Sequence, residues 1–282
     1  MLAQYDPDHK LPERDTPANP AITFRALEAA ASKVTTVSKA RLAQARAMVG
    51  SLLYEATKIS FDICPAVCRL ASVALKPSDL FFNQVKWLFG YLRKRARGKP
   101  CLRFTPRIST DAVTPSLLGL CDASYNTTSK CKSMCGWLLW HGRNLINYHT
   151  GLTRIICLST VESETYGMSD LTKEILHLQM LQGSIGIQNM PATLGIDNMG
   201  ALKNALGGSY SRTRHMEYRV MHTREAQEAG LIRLTHVGTT INLADIMSKC
   251  MGTTKQFTFL RDHIMHFQSY SAMAIKPKPQ NT

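Results

Sequence analysis

The chain has 282 residues, 44% of them apolar and 19% charged, which is material for one large globular domain or two ordinary ones. Lys and Arg number 34 against 20 Asp and Glu, a net charge of +14, and that excess points to an anionic partner, nucleic acid being the usual one. The opening MLAQYDPDHKLPERD lacks the apolar run of a secretory signal, and no uninterrupted apolar stretch of about 20 residues exists to cross a membrane, so the expected setting is intracellular, cytoplasmic or nuclear.

Residues 1–40 are rich in Pro, Asp and Thr and are expected to form an extended linker with a short helix over 24–32. From residue 41 to 106 the pattern is helical. Met48, Leu52, Leu53 and Ala56 make one stripe. A second helix is expected over 63–75, with Pro65 in its first turn and Pro77 just past its end. A third is expected over 78–95, with Leu80, Val85, Leu88, Phe89 and Leu92 apolar, and runs into Arg93, Lys94, Arg95, Arg97 and Lys99. Cations suit a helix C-terminus, but five charges with no acid among them exceed that need, and they are expected to grip a phosphate backbone.

Past Pro106 the character changes. An apolar run at 117–121 (LLGLC) ends on Asp122, and two strands follow at 134–140 and 144–149, joined as a hairpin through His141-Gly142-Arg143. A long helix comes next, at 158–183. Another strand, 192–196, again ends on an acid, Asp197. Helices at 199–205 and 213–229, a strand at 231–236 and a short helix at 242–249 carrying Asp245 complete a βββαβααβα order over 112–270. The tail from 271 to 282 is expected to be disordered. Eight cysteines, at 64, 68, 101, 121, 131, 135, 157 and 250, make no double Cys-x-x-Cys, the usage of reduced, buried thiols. Trp87, Trp137 and Trp140 occupy apolar-periodic positions and are expected in the core.

The long helix opens on two glutamates. Ser159-Thr160-Val161-Glu162 reads as a capping box, with a hydroxyl at the N-cap and a carboxylate three residues on. Glu164 instead shares a face with Val161, Met168, Leu171, Ile175 and Leu178. A carboxylate turned toward a core is costly unless it is paired or binds a metal; from this helix alone, a wetted first-turn position and a metal-facing one both remain open. Asp122 and Asp197 each follow an apolar strand, and if those strands are adjacent and parallel both acids project at one rim. Glu164 can lean over that rim and Asp245 can close it. Four carboxylates brought together require cations, and an all-oxygen set suits Mg²⁺ or Mn²⁺. Two such ions serve phosphodiester cleavage, so a metal-dependent nuclease is the favoured reading of the constellation. Arg212, Arg214 and His215 stand at the start of the charged helix, either as a phosphate grip or as a solvated helix face.

The segments LGLCDASYN, KSMCGWLLW, LSTVESETYG, LGIDNMGALKNA, SRTRHMEYR and HVGTTINLADIMSK resemble, in order and spacing over 115–255, the ribonuclease H domain of copia-type retrotransposon Pol polyproteins. Residues 48–104 are similar to the helical thumb or connection segment that joins the reverse transcriptase of these elements to the nuclease. The resemblance implies an α/β, ribonuclease H-like five-stranded mixed sheet with an antiparallel second strand, flanked by helices and preceded by a small helical segment. It also implies a metal quartet of Asp122, Glu164, Asp197 and Asp245, two Mg²⁺ ions (Mn²⁺ as a substitute), an RNA–DNA hybrid as substrate and the rest of a reverse transcriptase as partner. The polymerase palm of such elements is expected upstream, and no YxDD-like sequence occurs here. Departures from the family pattern are Ser124 and Tyr125 after the first aspartate, His222 one place out of register and Gly238 for a proline. His236 falls at a strand end, not in the loop where relatives carry a mobile histidine. Cleavage of the RNA strand of a hybrid is the leading expectation; a non-catalytic nucleic-acid-binding remnant and a structural part of a larger reverse transcriptase are the rivals.

Overall fold

The structure is a computed structural model that describes residues 2–8, 10–98, 102, 104, 116–207, 215–251 and 254–265. Its N-terminal part is helical: α1 Leu2–Tyr5, α2 Phe24–Ser32, α3 Lys39–Lys58, α4 Cys64–Val73 and α5 Asp79–Gly98. The starts are set by local chemistry. Thr23 caps α2 by accepting from the Ala26 N–H at 3.2 Å, and Ser38 caps α3 by accepting from Arg41 at 3.2 Å. Pro65 sits in the first turn of α4, where its missing N–H costs nothing.

Three strands then form a meander: β1 Leu117–Ser124, β2 Met134–His141 and β3 Asn144–Leu152. Gly142 supplies the positive φ (61°) of the tight β2–β3 turn. A crossover through α6 Thr160–Ser184 leads to β4 Ala192–Ile196, and α7 Met199–Ala205 and α8 Glu217–Glu228 lead to β5 Ile232–His236. The strand order is β3-β2-β1-β4-β5, with β2 antiparallel to both neighbours and β4 parallel to β1 and β5. This is the α/β five-stranded mixed sheet, with flanking helices and a preceding helical segment, that the resemblance implies. Two short helices close the described chain, α9 Asp245–Ser248 and α10 Thr254–Met265; the second has no counterpart in the sequence reading.

Both faces of the sheet are covered, which is why β2 reads as a nearly unbroken apolar run. Alternate residues divide between two cores. Leu117, Cys121, Trp137 and Leu139 pack with Met168, Leu171 and Ile175 of α6. Leu120, Leu138 and Trp140 pack on the other face with Leu52, Val67, Leu88, Met247 and Phe257. The helical segment expected at 41–106 and the unit expected from 112 therefore share one continuous core. Trp137 and Trp140 are buried as expected, while Trp87 is only half-buried.

The expected N-terminal linker is mostly without regular structure, but it is strapped along α5. Trp87 Nε1 donates to the Thr16 carbonyl at 2.9 Å, and Asp6 and Thr16 are buried. A Cβ at Gly90 would stand 2.2 Å from the Pro12 carbonyl oxygen, so only glycine lets the strap lie this close. Ion pairs complete the contact: Arg93 with Asp6 at 3.5 Å, Lys94 with Asp15, and Arg97 with Glu13. Residues 271–282 lie outside the described residues.

Candidate metal centre

Asp122 lies within β1, opposite Gly136, rather than beyond the strand end, because pairing with β2 carries the strand on to Ser124. Asp197 directly follows β4. Since β1 and β4 are adjacent and parallel, both acids reach one rim. Asp245 arrives with α9, and the close approach of α9 to β2 depends on Gly136. A Cβ there would come 2.4 Å from Met247 Cβ and 2.7 Å from its carbonyl oxygen. Thr150 Oγ1 donates to that carbonyl at 2.7 Å. Asn242 ties the approach to the sheet by donating to the Cys121 carbonyl at 3.0 Å and accepting from the Ala244 N–H at 3.1 Å. The outcome is that carboxylate oxygens of Asp122, Asp197 and Asp245 lie within 4.8 Å of one another.

The spacing turns only Glu164 toward the core, whereas the structure buries Glu162 as well and distinguishes the two by their partners. Ser159 accepts from the Glu162 N–H at 3.3 Å, and Glu162 Oε2 accepts from the Leu158 N–H at 2.6 Å. The capping box is therefore present, reaching one residue further back than Ser159 itself. His215 Nε2 also sits 3.0 Å from Glu162 Oε2. Both glutamates are buried, Glu162 at 3% and Glu164 at 6% exposure. What separates them is partnership. Glu164 accepts a backbone hydrogen bond from Ala123, but its Oε2 is buried without a hydrogen-bond partner among the described residues. Burial, then the nearby charges of Asp122 and Asp197, push the Glu164 carboxyl well above the usual carboxylate range. Asp197 and Asp245 are raised for the same reasons, burial first and then Asp122.

Two residues that composition and periodicity did not single out complete the site. The Ser248 hydroxyl donates to Asp122 Oδ2. Lys249 Nζ donates to Asp245 Oδ1 at 2.8 Å and stands 3.3 Å from Asp122 Oδ1. Against the opposing pull of burial, Asp122 and Asp245 hold the Lys249 ammonium above its ordinary pKa. Both residues fall inside the INLADIMSK segment, and Lys249 stands four places from Asp245, the spacing of a helical ion pair.

The cationic end of α5 is placed differently from expectation. Arg93 and Arg95 turn inward, Arg95 pairing at 2.8 Å with the buried Asp62, which also accepts from the Tyr91 hydroxyl. With Lys94 and Arg97 held by strap acids, all four have acidic partners, so this is no free cationic surface. Lys99, Arg212 and Arg214 lie outside the described residues. His215 is exposed and borders the start of α6 through Glu162. His236 Nε2 lies 3.1 Å from the Asp197 carbonyl oxygen, a satisfied position at the strand end. Asn198 caps α7 by accepting from Ala201 at 3.0 Å. Among the described residues, no helix is long and apolar enough to cross a membrane.

No family model matches the chain. It is 26% identical over 209 residues to the retrovirus-related Pol polyprotein from transposon TNT 1-94 of Nicotiana tabacum, covering 73% of this chain and 15% of that one. It is 27% identical over 207 residues to the Pol polyprotein from transposon RE2 of Arabidopsis thaliana, covering 72% of this chain and 14% of that polyprotein. Among solved structures, LC11-RNase H1 in complex with RNA/DNA hybrid aligns at 11% identity and a TM-score of 0.37, over 47% of this chain and 93% of that one. By sequence the chain is thus a relative of retrotransposon Pol polyproteins, matching a stretch about one-seventh of their length, as its motifs led one to expect.

Proposed function

We propose that the chain is a divalent-metal-dependent endoribonuclease that cuts the RNA strand of RNA–DNA hybrids, acting alongside the rest of a reverse transcriptase. The observation that carries this reading is the convergence of Asp122, Asp197 and Asp245 at one sheet rim beside Glu164, whose buried Oε2 lacks a partner. An unpaired buried carboxylate oxygen costs about 1–3 kcal/mol or more, and a cation offsets it. The donor set is all carboxylate, which fits Mg²⁺ or Mn²⁺ and suits neither zinc nor copper. Asp122, Glu164, Asp197 and Asp245 would hold one or two such ions, which when bound activate water and stabilise a leaving oxygen in phosphodiester hydrolysis.

The chain's own residues prepare the site. Asp122 is fixed through Ser248, Asp245 through the Asn242 bonds to β1, and Glu164 through the rigid first turns of α6, so the carboxylates are held before substrate arrives. His215, with Arg212 and Arg214 just before it in sequence, is the proposed contact to the phosphate backbone. A hybrid read through shape, phosphates and 2′-hydroxyls calls for little base specificity. The test is cleavage of an end-labelled RNA annealed to DNA. Scission is expected with Mg²⁺ and none with EDTA, and Asp122→Asn or Asp197→Asn should lower the rate more than about 100-fold. Cleavage that persists in EDTA or in either variant would overturn the proposal.

A further inference from the structure

We infer that Lys249 is a built-in competitor for the divalent cation, a positioning residue whose ammonium must leave Asp122 and Asp245 for the ion to bind. This rests on the metal reading proposed above and goes beyond it by assigning a control on that site. Lys249 Nζ is 2.8 Å from Asp245 Oδ1 and 3.3 Å from Asp122 Oδ1. Asp122 Oδ2 is taken by the Ser248 hydroxyl, so both oxygens of this buried aspartate are engaged. An ion that binds Asp122 and Asp245 together meets the ammonium on the same oxygens, and like charges at that range repel strongly.

The lysine is the partner free to move. Its side chain is 37% exposed, against 2% for Asp122 and 9% for Asp245. A displaced ammonium can be rehydrated at the end of its flexible stem, whereas the carboxylates are fixed by strand and helix. Linkage makes the competition reciprocal: whatever the ammonium costs the ion, the ion costs the ammonium's bonds. Lys249 thereby sets how much free divalent ion the site needs, and it keeps part of the acidic charge compensated below that level.

The experiment is calorimetric titration of the full chain with Mg²⁺, without nucleic acid, comparing the unsubstituted protein with Lys249→Gln, Lys249→Arg and Asp122→Asn. Glutamine keeps a donor and removes the charge, so Lys249→Gln should bind Mg²⁺ tighter, on the order of tenfold. Lys249→Arg, still cationic, should stay close to the unsubstituted protein. A second measurement needs no variant: acylation of Lys249, read by peptide mass spectrometry, should rise several-fold when Mg²⁺ saturates the site. Binding that Asp122→Asn abolishes but Lys249→Gln leaves unchanged or weaker overturns this inference alone. Lys249 labelling that does not rise at saturating Mg²⁺ does the same, including where Lys249→Gln fails to fold. Absence of Mg²⁺ binding in the unsubstituted protein, or binding indifferent to Asp122→Asn, overturns the metal reading and this inference together.

Discussion

Glu162 and Glu164 stand two residues apart on one helix, and their environments ask for opposite chemistry. Glu162 Oε2 is partnered by the Leu158 N–H and by His215. Glutamine there still accepts a hydrogen bond, so Glu162→Gln should cost about 1 kcal/mol of stability and retain Mg²⁺-dependent cleavage. Glu164→Gln should abolish cleavage and leave the fold intact; equal loss in both variants would refute the division. The pH dependence in EDTA gives a second check. Because the folded-state pKa of Glu164 is raised, folding takes up a proton above the unfolded value of about 4.3. Its contribution is complete below that pH and is lost as pH rises through the folded value. The melting temperature in EDTA should therefore fall as pH rises from about 5 toward 8, and Glu164→Gln should flatten that slope. The 3.6-residue period set Glu164 apart by placing it on the stripe of Met168, Leu171 and Ile175, but it gave no sign that Glu162 is buried as well. Lys249 was not legible by composition, being one of 34 basic residues. Only its four-residue spacing from Asp245 hinted at the pair.

At the scale of elements, α5 shows where local reading stops. Five cations near a helix end look like a nucleic-acid grip while only neighbours in sequence are considered. The acids that meet Lys94 and Arg97 lie 79 and 84 positions earlier, and only the tertiary path of the N-terminal strap brings them close. The consequence separates the charges into two kinds. Lys94 and Arg97 pair at the surface, where such pairs are worth little. Arg95 with Asp62 is buried, and removing one partner of a buried pair costs about 3–5 kcal/mol. Arg95→Met should therefore lower the melting temperature sharply in thermal denaturation. Lys94→Gln with Arg97→Gln should leave it nearly unchanged. The same double variant should shift the slope of log K against log salt for hybrid binding by less than about one unit, because the two charges are already compensated within the chain. A shift near two would mean the pairs open to receive phosphates.

Over the whole molecule, the mixed sheet with its antiparallel second strand was implied only by the resemblance, while element order was readable because each strand run and helical stripe carries its own period. The joining of the two halves was not, since Leu120, Leu138 and Trp140 report only that they are buried, never against what. In the structure they belong to one core cluster with residues of α4, α5 and α10, continuous with that of the helical segment. Tyr91 on α5 packs edge-on against Phe257 on α10 at 5.6 Å, and α4 lies against β3 and α9. Asp245 of α9 is thus seated on one side by β1 and β2 and on the other by α4. A shared core of this kind makes the two parts one cooperative unit. Thermal unfolding followed by near-ultraviolet and far-ultraviolet circular dichroism should give coincident single transitions. A chain cut to residues 112–282 should expose the Leu120–Leu138–Trp140 face, bind a hydrophobic dye and aggregate, with hybrid cleavage lost because α9 has no backing. Two separated transitions, or a soluble and active truncated chain, would show that the helical segment is an accessory to a self-sufficient nuclease unit.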